Sequence, residues 1–270
     1  MNNLEKFIWW IEERYSVYQL KSAKYHPPWS NDKTFQTTYF CNVHRENDRV
    51  TRWIREHYPV DNAHPEFNMM VARFVNKPST LEAMFWPYKT WGVSTDQLNF
   101  KHHMSKSGAW GSAYIVSTNG LSLPKHEYIA GLLTAAWGHF EQVRQATTCL
   151  AAHKALQGHR GLASFMSAQI VADLKNTKGH PLETAEDWWT FVAPGPGSLR
   201  GMAWVYEYDK VSPTAFNVLI PKLRDYVDQH LSKEVPRFCN QDLQNCLCEF
   251  DKYMRVSTGV GRSKRKYAGA

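Results

Sequence analysis

Cysteine is scarce in this chain and carries no pairing pattern. The five residues are Cys41, Cys149, Cys239, Cys246 and Cys248, an odd number with no Cys-x-x-Cys among them. That speaks against a disulfide framework and a structural zinc site, and predicts a reducing, cytoplasmic setting. The 12 histidines are scattered. After His126-Glu127 the position of a second zinc-binding histidine is taken by Ala130, so no zincin site forms. Neither a metal nor a cofactor is expected. No Gly-x-x-x-x-Gly-Lys-Ser/Thr loop is present, which excludes a P-loop kinase mechanism within these residues. Long apolar runs are also missing. Glu12 and Glu13 cut short the run from Phe7 to Ile11, so neither a signal peptide nor a membrane span is expected. Sustained apolar/polar alternation and internal repeats are absent too, which points away from β-sheet and solenoid folds.

What is present is apolar, aromatic and basic. Hydrophobic residues make up 43% of the 270 positions and charged residues 21%, enough to bury a real core. The 11 tryptophans suit a thick core, and equally a surface that stacks against bases. A net charge of +7 favours a polyanionic partner, since Lys and Arg release condensed counterions on meeting phosphates. The length fits a single helical domain or two lobes, divided near residue 120 (1–120 and 121–258), with a basic tail over 259–270.

Helical spacing dominates. Leu4, Ile8 and Ile11 recur at helical intervals before Pro27-Pro28 breaks the run. Val43, Val50, Trp53, Ile54 and His57 predict a helix from about Tyr39 to His57. Ser79 to Glu82 reads as a capping box opening a helix that ends near Pro87. Residues 98–119, rich in Gly, Ser, Lys and His, are ambiguous. Pro124 starts a helix toward Leu156 with a break near Gly138, and another follows from Leu162 to Leu174. A second capping box at Thr184–Asp187 predicts a helix through Trp188 to Val192. The last helix, about Asp242 to Arg255, has Leu243, Leu247, Phe250 and Met254 as its buried stripe.

The sharpest local signal is Phe191-Val-Ala-Pro-Gly-Pro-Gly-Ser-Leu-Arg-Gly201. Read as a helix, a Pro/Gly turn and a second helix from Ser198, it leaves the amides of Gly195, Gly197 and Ser198 available to a phosphate oxygen, with Arg200 adding a charge-assisted bond. It resembles the hairpin with which DNA glycosylases hold a duplex backbone. The fold expected is therefore mainly α, a DNA-glycosylase-like helical fold with a helix–hairpin–helix. A plain turn between two helices fits the same residues. Arg262, Lys264 and Arg265 in the tail are further candidates for backbone contact, or a solvated end.

Three other constellations carry possible chemistry. On a helix, Asn42, Arg45, Glu46, Arg49 and Trp53 share one side, either as a surface ion-pair lattice or as a pocket where two arginines grip an anion and Glu46 orients them. Glu249 and Lys252, with Asp251 and Cys248 on the neighbouring face, join carboxylate, amine and thiol, suited to acid–base or nucleophilic work or to a solvated edge. Asp173 flanks the apolar set Met166, Ile170 and Leu174.

Four blocks in this order, Phe40-Cys-Asn-Val-His-Arg-Glu-Asn-Asp-Arg49, Ile170-Val-Ala-Asp-Leu174, Ala193 to Gly201 and Leu247-Cys-Glu-Phe-Asp-Lys-Tyr253, resemble the α-glutamyl/putrescinyl-thymine pyrophosphorylases. These are amino acid:DNA transferases of bacteriophages, related to the helical lobe of some 5-hydroxymethyluracil DNA kinases. The resemblance covers most of the chain. That family's pattern has an acidic residue followed by His ahead of the last block, where Gln244-Asn245 stands here, so the incoming nucleophile stays open.

The resemblance implies a DNA-modifying transferase in the host cytoplasm, acting after a DNA kinase. Its substrate would be double-stranded DNA carrying phosphorylated 5-hydroxymethyluracil, with the base flipped from the stack. An amino acid or polyamine would replace the phosphate or pyrophosphate, giving a thymine that resists host restriction. Asp173, Glu249, Asp251 and Lys252 become catalytic candidates. Asn42, Arg45, Glu46 and Arg49 become phosphate-binding candidates. A glycosylase using Asp209 or Asp225, and a DNA-binding protein without catalysis, remain as alternatives.

Overall fold

The computed structural model describes residues 1–59, 61–114, 116–118 and 120–261. Arg262, Lys264 and Arg265 lie outside the described residues. Every regular element of the described residues is helical. In chain order they are α1 (Asn3–Ser22), α2 (Lys33–Thr37), α3 (Arg49–His57), α4 (Pro65–Val75), α5 (Pro78–Ala83), α6 (Asp96–Met104), α7 (Lys125–Ala136), α8 (Glu141–Arg144), α9 (Cys149–Gln157), α10 (Ser164–Leu174), α11 (Pro196–Tyr206), α12 (Pro213–His230) and α13 (Asn240–Ser257). Short 3-10 turns span Arg45–Asn47 and Pro181–Thr184. No described helix is long and apolar enough to cross a membrane.

The chain forms two compact units. The first is built from both ends, Met1–Asp48 with Trp189–Ala270, and the second is Arg49–Trp188. The divisions fall at 48/49 and 188/189, and residue 120 lies inside the second unit.

In the first unit α1 begins at a reciprocal cap. The Asn2 Oδ1 accepts the Glu5 N–H and the Glu5 Oε2 accepts the Asn2 N–H, both at 2.9 Å. Phe7, Trp10, Ile11, Arg14 and Val17 follow at helical intervals and are buried. The four apolar residues meet Leu243, Cys246, Leu247 and Phe250 of α13 and Phe216, Ile220 and Leu223 of α12 in one core. Aromatic rings pack closely in it: Phe7 meets Phe250 edge-on at 5.1 Å, and Phe35 lies 5.1 Å from Phe40.

The second unit is organised around α4, on which every residue from Glu66 to Val75 is buried. A short helix buried on all sides belongs at the centre of a unit. Helices α5, α7 and α10 pack on it. Asn68 on α4 fixes the loop beyond α5. Its side chain accepts the Tyr88 N–H at 2.7 Å and donates to the Tyr88 carbonyl at 2.9 Å.

Two expected helices are corrected. The segment Tyr39–His57 is α-helical only from Arg49, because two of the amides before it are taken by side chains. The Cys41 N–H bonds to Glu249 at 2.9 Å and the Arg45 N–H to Asp242 at 3.0 Å. The helix from Trp188 to Val192 is also absent. Asp187 caps α9 instead, accepting the Cys149 and Leu150 amides at 2.7 and 2.9 Å. Elsewhere the expected run from Pro124 toward Leu156 is three helices, with its first break at Trp137-Gly138, where Gly138 has φ +79.

His153 on α9 gives the second unit a pH dependence. Its Nε2 bonds to the Ser164 carbonyl at 2.9 Å and its Nδ1 accepts from Gln157 at 3.2 Å. Burial lowers its pKa from 6.5, and the Ser164 carbonyl opposes this only in part. The unfolded chain therefore binds a proton that the folded one refuses, and stability falls as pH drops through about 6.5. Urea unfolding at pH 7.5 and 5.5 is expected to show a smaller pH penalty for His153→Gln than for the parent. Equal penalties would remove His153 as the cause.

Candidate functional site

Helix α13 positions most of the candidate residues, and its two flanks do different things. One flank receives the segment Cys41–Asp48. Arg14 reaches across from α1, where it interrupts an apolar stripe, and donates to the carbonyls of Phe40 and Cys41 and to Asn42 Oδ1. Asn245 donates to the Asn42 carbonyl at 3.1 Å. The Glu249 Oε2 accepts the Cys41 N–H and pairs with Lys252 Nζ at 2.5 Å. Lys252 also lies over the Phe40 ring, 5.0 Å from its centre. Arg45 is largely covered and pairs with Glu46 at 3.4 Å. The first unit thus brings Asn42, Arg45, Glu46, Glu249 and Lys252 onto one surface. The shared helix side expected for Asn42, Arg45, Glu46 and Arg49 does not exist. The first three lie in an extended and 3-10 segment, and Arg49 is an exposed residue at the start of α3 in the second unit.

The other flank of α13 carries α11. The stretch before α11 is extended rather than helical, so a helix–hairpin–helix does not form there. Asn240 and Gln244 lay it along α13. Asn240 bonds through its N–H to the Trp189 carbonyl and through its side chain to that of Thr190, both at 2.9 Å. The Gln244 amide makes a two-way pair with Ala193 at 2.8 and 2.9 Å. The glycines then serve packing. A Cβ on Gly201 would lie 2.0 Å from the Leu247 carbonyl oxygen, and one on Gly197 3.2 Å from the Cys248 Sγ. The Gly195 N–H is already engaged by the Ser198 hydroxyl at 3.0 Å, and Pro196 has none. The Gly197 and Ser198 amides remain as first-turn donors without an acceptor inside the helix.

Asp251 ties the two helices together. Its carboxylate is 1% exposed and accepts from Arg200 at 2.9 and 3.1 Å, from Arg255 at 3.2 Å and from the Trp204 indole at 3.3 Å. Four donors on two oxygens leave it poorly placed to collect a proton. Burial, with Glu249 adding to it, pushes the Cys248 thiol up to about 12, so it stays protonated at neutral pH and fills space beside Gly197.

Asp173 belongs to the second unit. It is fully buried and held at 2.6 and 2.7 Å by the fork of Arg73, with Arg55 at 3.1 Å. Arg73 and Arg14 are functional-looking residues that the motifs do not include. Each is a charge inside an otherwise apolar helical stripe, which is the signal that marks them. Among the described residues no group of three or more His, Cys, Asp or Glu is placed to hold a metal ion.

Comparison with known proteins gives a family match described as 5-hmdU DNA kinase, helical domain, over residues 1–262. No curated protein and no solved structure matches the chain. With nearly its whole length matched, the chain belongs to the family of 5-hmdU DNA kinase helical domains.

Proposed function

We propose that this chain is a transferase acting on phosphorylated 5-hydroxymethyluracil in DNA, replacing the phosphate or pyrophosphate with the amine of an amino acid or polyamine. The observation that carries this reading is the family match over residues 1–262, which ties the chain to 5-hydroxymethyluracil DNA, together with the carboxylate and cations that α13 and the Cys41–Asp48 segment hold in the first unit. The setting is a phage-modified genome protected from host restriction.

The reaction breaks the exocyclic C–O bond, forms a C–N bond, and releases the phosphate with the bonding electrons. The amine must lose one proton. Glu249 is the base that fits best, since both of its contacts fall on Oε2 and Oε1 stays outside them. Arg45 and Lys252 supply the cationic field for the departing phosphate, with Asn42 and Glu46 holding Arg45's segment. Asp173 and Asp251 are assigned to structure, each saturated by arginine. Phosphates of the backbone would meet the Gly197 and Ser198 amides and the exposed guanidinium of Arg200.

Nucleoside mass spectrometry after incubation with phosphomethyluracil DNA and mixed amino acids and polyamines tests the reading. A new nucleoside carrying the added amine is expected. Abasic sites would favour a glycosylase instead. Glu249→Gln is expected to slow transfer by about 10²-fold or more, and Arg45→Ala to abolish it while DNA binding persists. Full activity in either variant would remove that residue from the site. A second reading, a DNA-binding module without catalysis, is favoured by the saturation of Asp173 and Asp251. Unchanged nucleosides with every amine would support it.

A further inference from the structure

Helix α5 ends on a phenylalanine that stands almost wholly outside the fold. Two bonds close the helix, from the Phe85 N–H to the Glu82 carbonyl at 2.9 Å and from the Trp86 N–H to the Leu81 carbonyl at 3.0 Å. This pair places the residue after the cap in the left-handed region, where glycine is usual because a Cβ crowds the backbone. Here that residue is Phe85, at φ +57. Its neighbours are fixed on both sides. Met84 and Trp86 are buried, Asn99 of α6 donates to the Met84 carbonyl at 3.1 Å, and the Trp86 indole donates to the Asn68 carbonyl at 3.0 Å. Phe85 itself is 82% exposed. One exposed apolar side chain is ordinary. A bulky one held in a strained conformation on a fixed base is not, because no burial offsets the strain.

Beside it lies a groove of about 270 Å³, with Lys77, Ser79, Ala83, His103, Lys106 and Ser107 among its walls. None of its described walls is acidic. Lys77 donates to the Gly108 carbonyl, and Lys106 is exposed. Burial, with Lys106 and His102 adding to it, lowers the His103 pKa, so that ring is neutral at neutral pH. Glu82 is exposed one turn before Phe85 but is not a wall of the groove. Ala83 stands two residues before Phe85, so at most about 7 Å of chain separates the groove wall from the base of the ring. Groove and ring lie within the second unit.

We infer that this surface docks duplex DNA, with a backbone phosphate in the groove and the Phe85 ring inserted as a wedge between neighbouring base pairs. Ammonium and hydroxyl donors without a competing carboxylate suit a phosphate oxygen. A nucleic-acid strand offers a phosphate and the face of a base within a few ångströms of each other, which is the pairing that groove and ring present. The family's tie to 5-hydroxymethyluracil DNA favours this partner over an anionic membrane, which would also take a cation and a ring. An apolar side chain driven between base pairs unstacks them, and a base beside the gap leaves the helix at less cost. Phe85 is thus a positioning residue. The inference rests on the tie to DNA and not on the transfer reaction.

Titration of the full chain onto an end-labelled duplex with 2-aminopurine beside a 5-hydroxymethyluracil tests it. Anisotropy follows binding, and 2-aminopurine fluorescence follows unstacking. The parent is expected to bind and to raise that fluorescence at least ~2-fold. Phe85→Gly is expected to bind within ~10-fold of the parent and to lose most of the rise. It is also expected to melt no lower than the parent, since glycine relieves the left-handed strain. Phe85→Leu, still an apolar wedge, is expected to keep part of the rise. Lys106→Ala is expected to lower the slope of log affinity against log salt by about 1. Five results overturn the inference: no duplex binding, an undiminished rise in Phe85→Gly, a Phe85→Gly protein that melts well below the parent, a salt slope indifferent to Lys106, or tighter Phe85-dependent binding to phosphatidylglycerol vesicles than to the duplex. Phe85-dependent unstacking without any amine transfer would leave this inference standing and sink the transferase reading. Amine transfer with unstacking indifferent to Phe85 would do the reverse.

Discussion

An Asp173→Ala variant is expected to lose about 3–5 kcal/mol of stability, the effect of stranding a buried charge. Arg73 is wholly buried, and the fork it offers is matched by the two oxygens of Asp173. Its remaining bonds, to Thr51 Oγ1 at 3.0 Å and Asn76 Oδ1 at 3.3 Å, are to neutral groups. Removing the carboxylate leaves a guanidinium in an apolar unit with no counter-charge. Arg55 loses the Asp173 carboxylate at the same time. The double change Asp173→Leu with Arg73→Met is expected to recover most of the loss, because a packed apolar pair replaces a desolvated ionic one. Urea unfolding of the single and double variants measures both. An Asp173→Asn protein that keeps its stability but loses transfer activity would overturn the structural assignment and return Asp173 to the chemistry.

The second large effect is expected at Gly201. Glycine to alanine inside a helix ordinarily gains about 1 kcal/mol. Here the new methyl would sit 2.0 Å from the Leu247 carbonyl oxygen, a backbone atom that no rotamer change can move. Gly201→Ala is expected to cost about 3 kcal/mol, the upper end of overpacking losses, by prising α11 from α13. Gly197→Ala is expected to be milder, since its obstacle is the Cys248 side chain at 3.2 Å. A methyl added to Gly131 on α7 would meet nothing within 4 Å, and Gly131→Ala serves as the control with the ordinary gain. Thermal unfolding of the three variants gives the ranking. A stabilised Gly201→Ala protein would show that the two helices do not pack closely in solution.

These two positions show where the sequence is readable and where it misleads. The Pro-Gly-Pro-Gly stretch announces a turn, and a helix does begin at Pro196. The use of its glycines is not local. Gly197 and Gly201 lie four apart on one side of α11, and what that side faces is α13, some fifty residues later in the chain. Bare glycines for a phosphate and bare glycines for a helix look the same in one dimension. Asp173 stands out in the sequence for its place beside an apolar set, but its partners are on α3 and α4, roughly a hundred residues earlier. Helix α12 is obscured in the sequence although Ser212-Pro213 marks its start, because Pro221 lies within it and suggests a break. Helix α4 is obscured for another reason: a run buried on all sides has no period to detect.

By itself the sequence determined the helical class and the bounds of α10 and α13 to within a few residues. Helical periodicity and capping residues act over three or four positions, and that range is enough for those features. Only the tertiary structure decided how the backbone between Tyr39 and Asp48 is satisfied. Arg14, Asp242, Asn245 and Glu249 bond to that segment from both ends of the chain. A helix is the default for a segment whose amides and carbonyls must find partners nearby. Partners delivered by distant side chains remove that need, and no local pattern records their arrival.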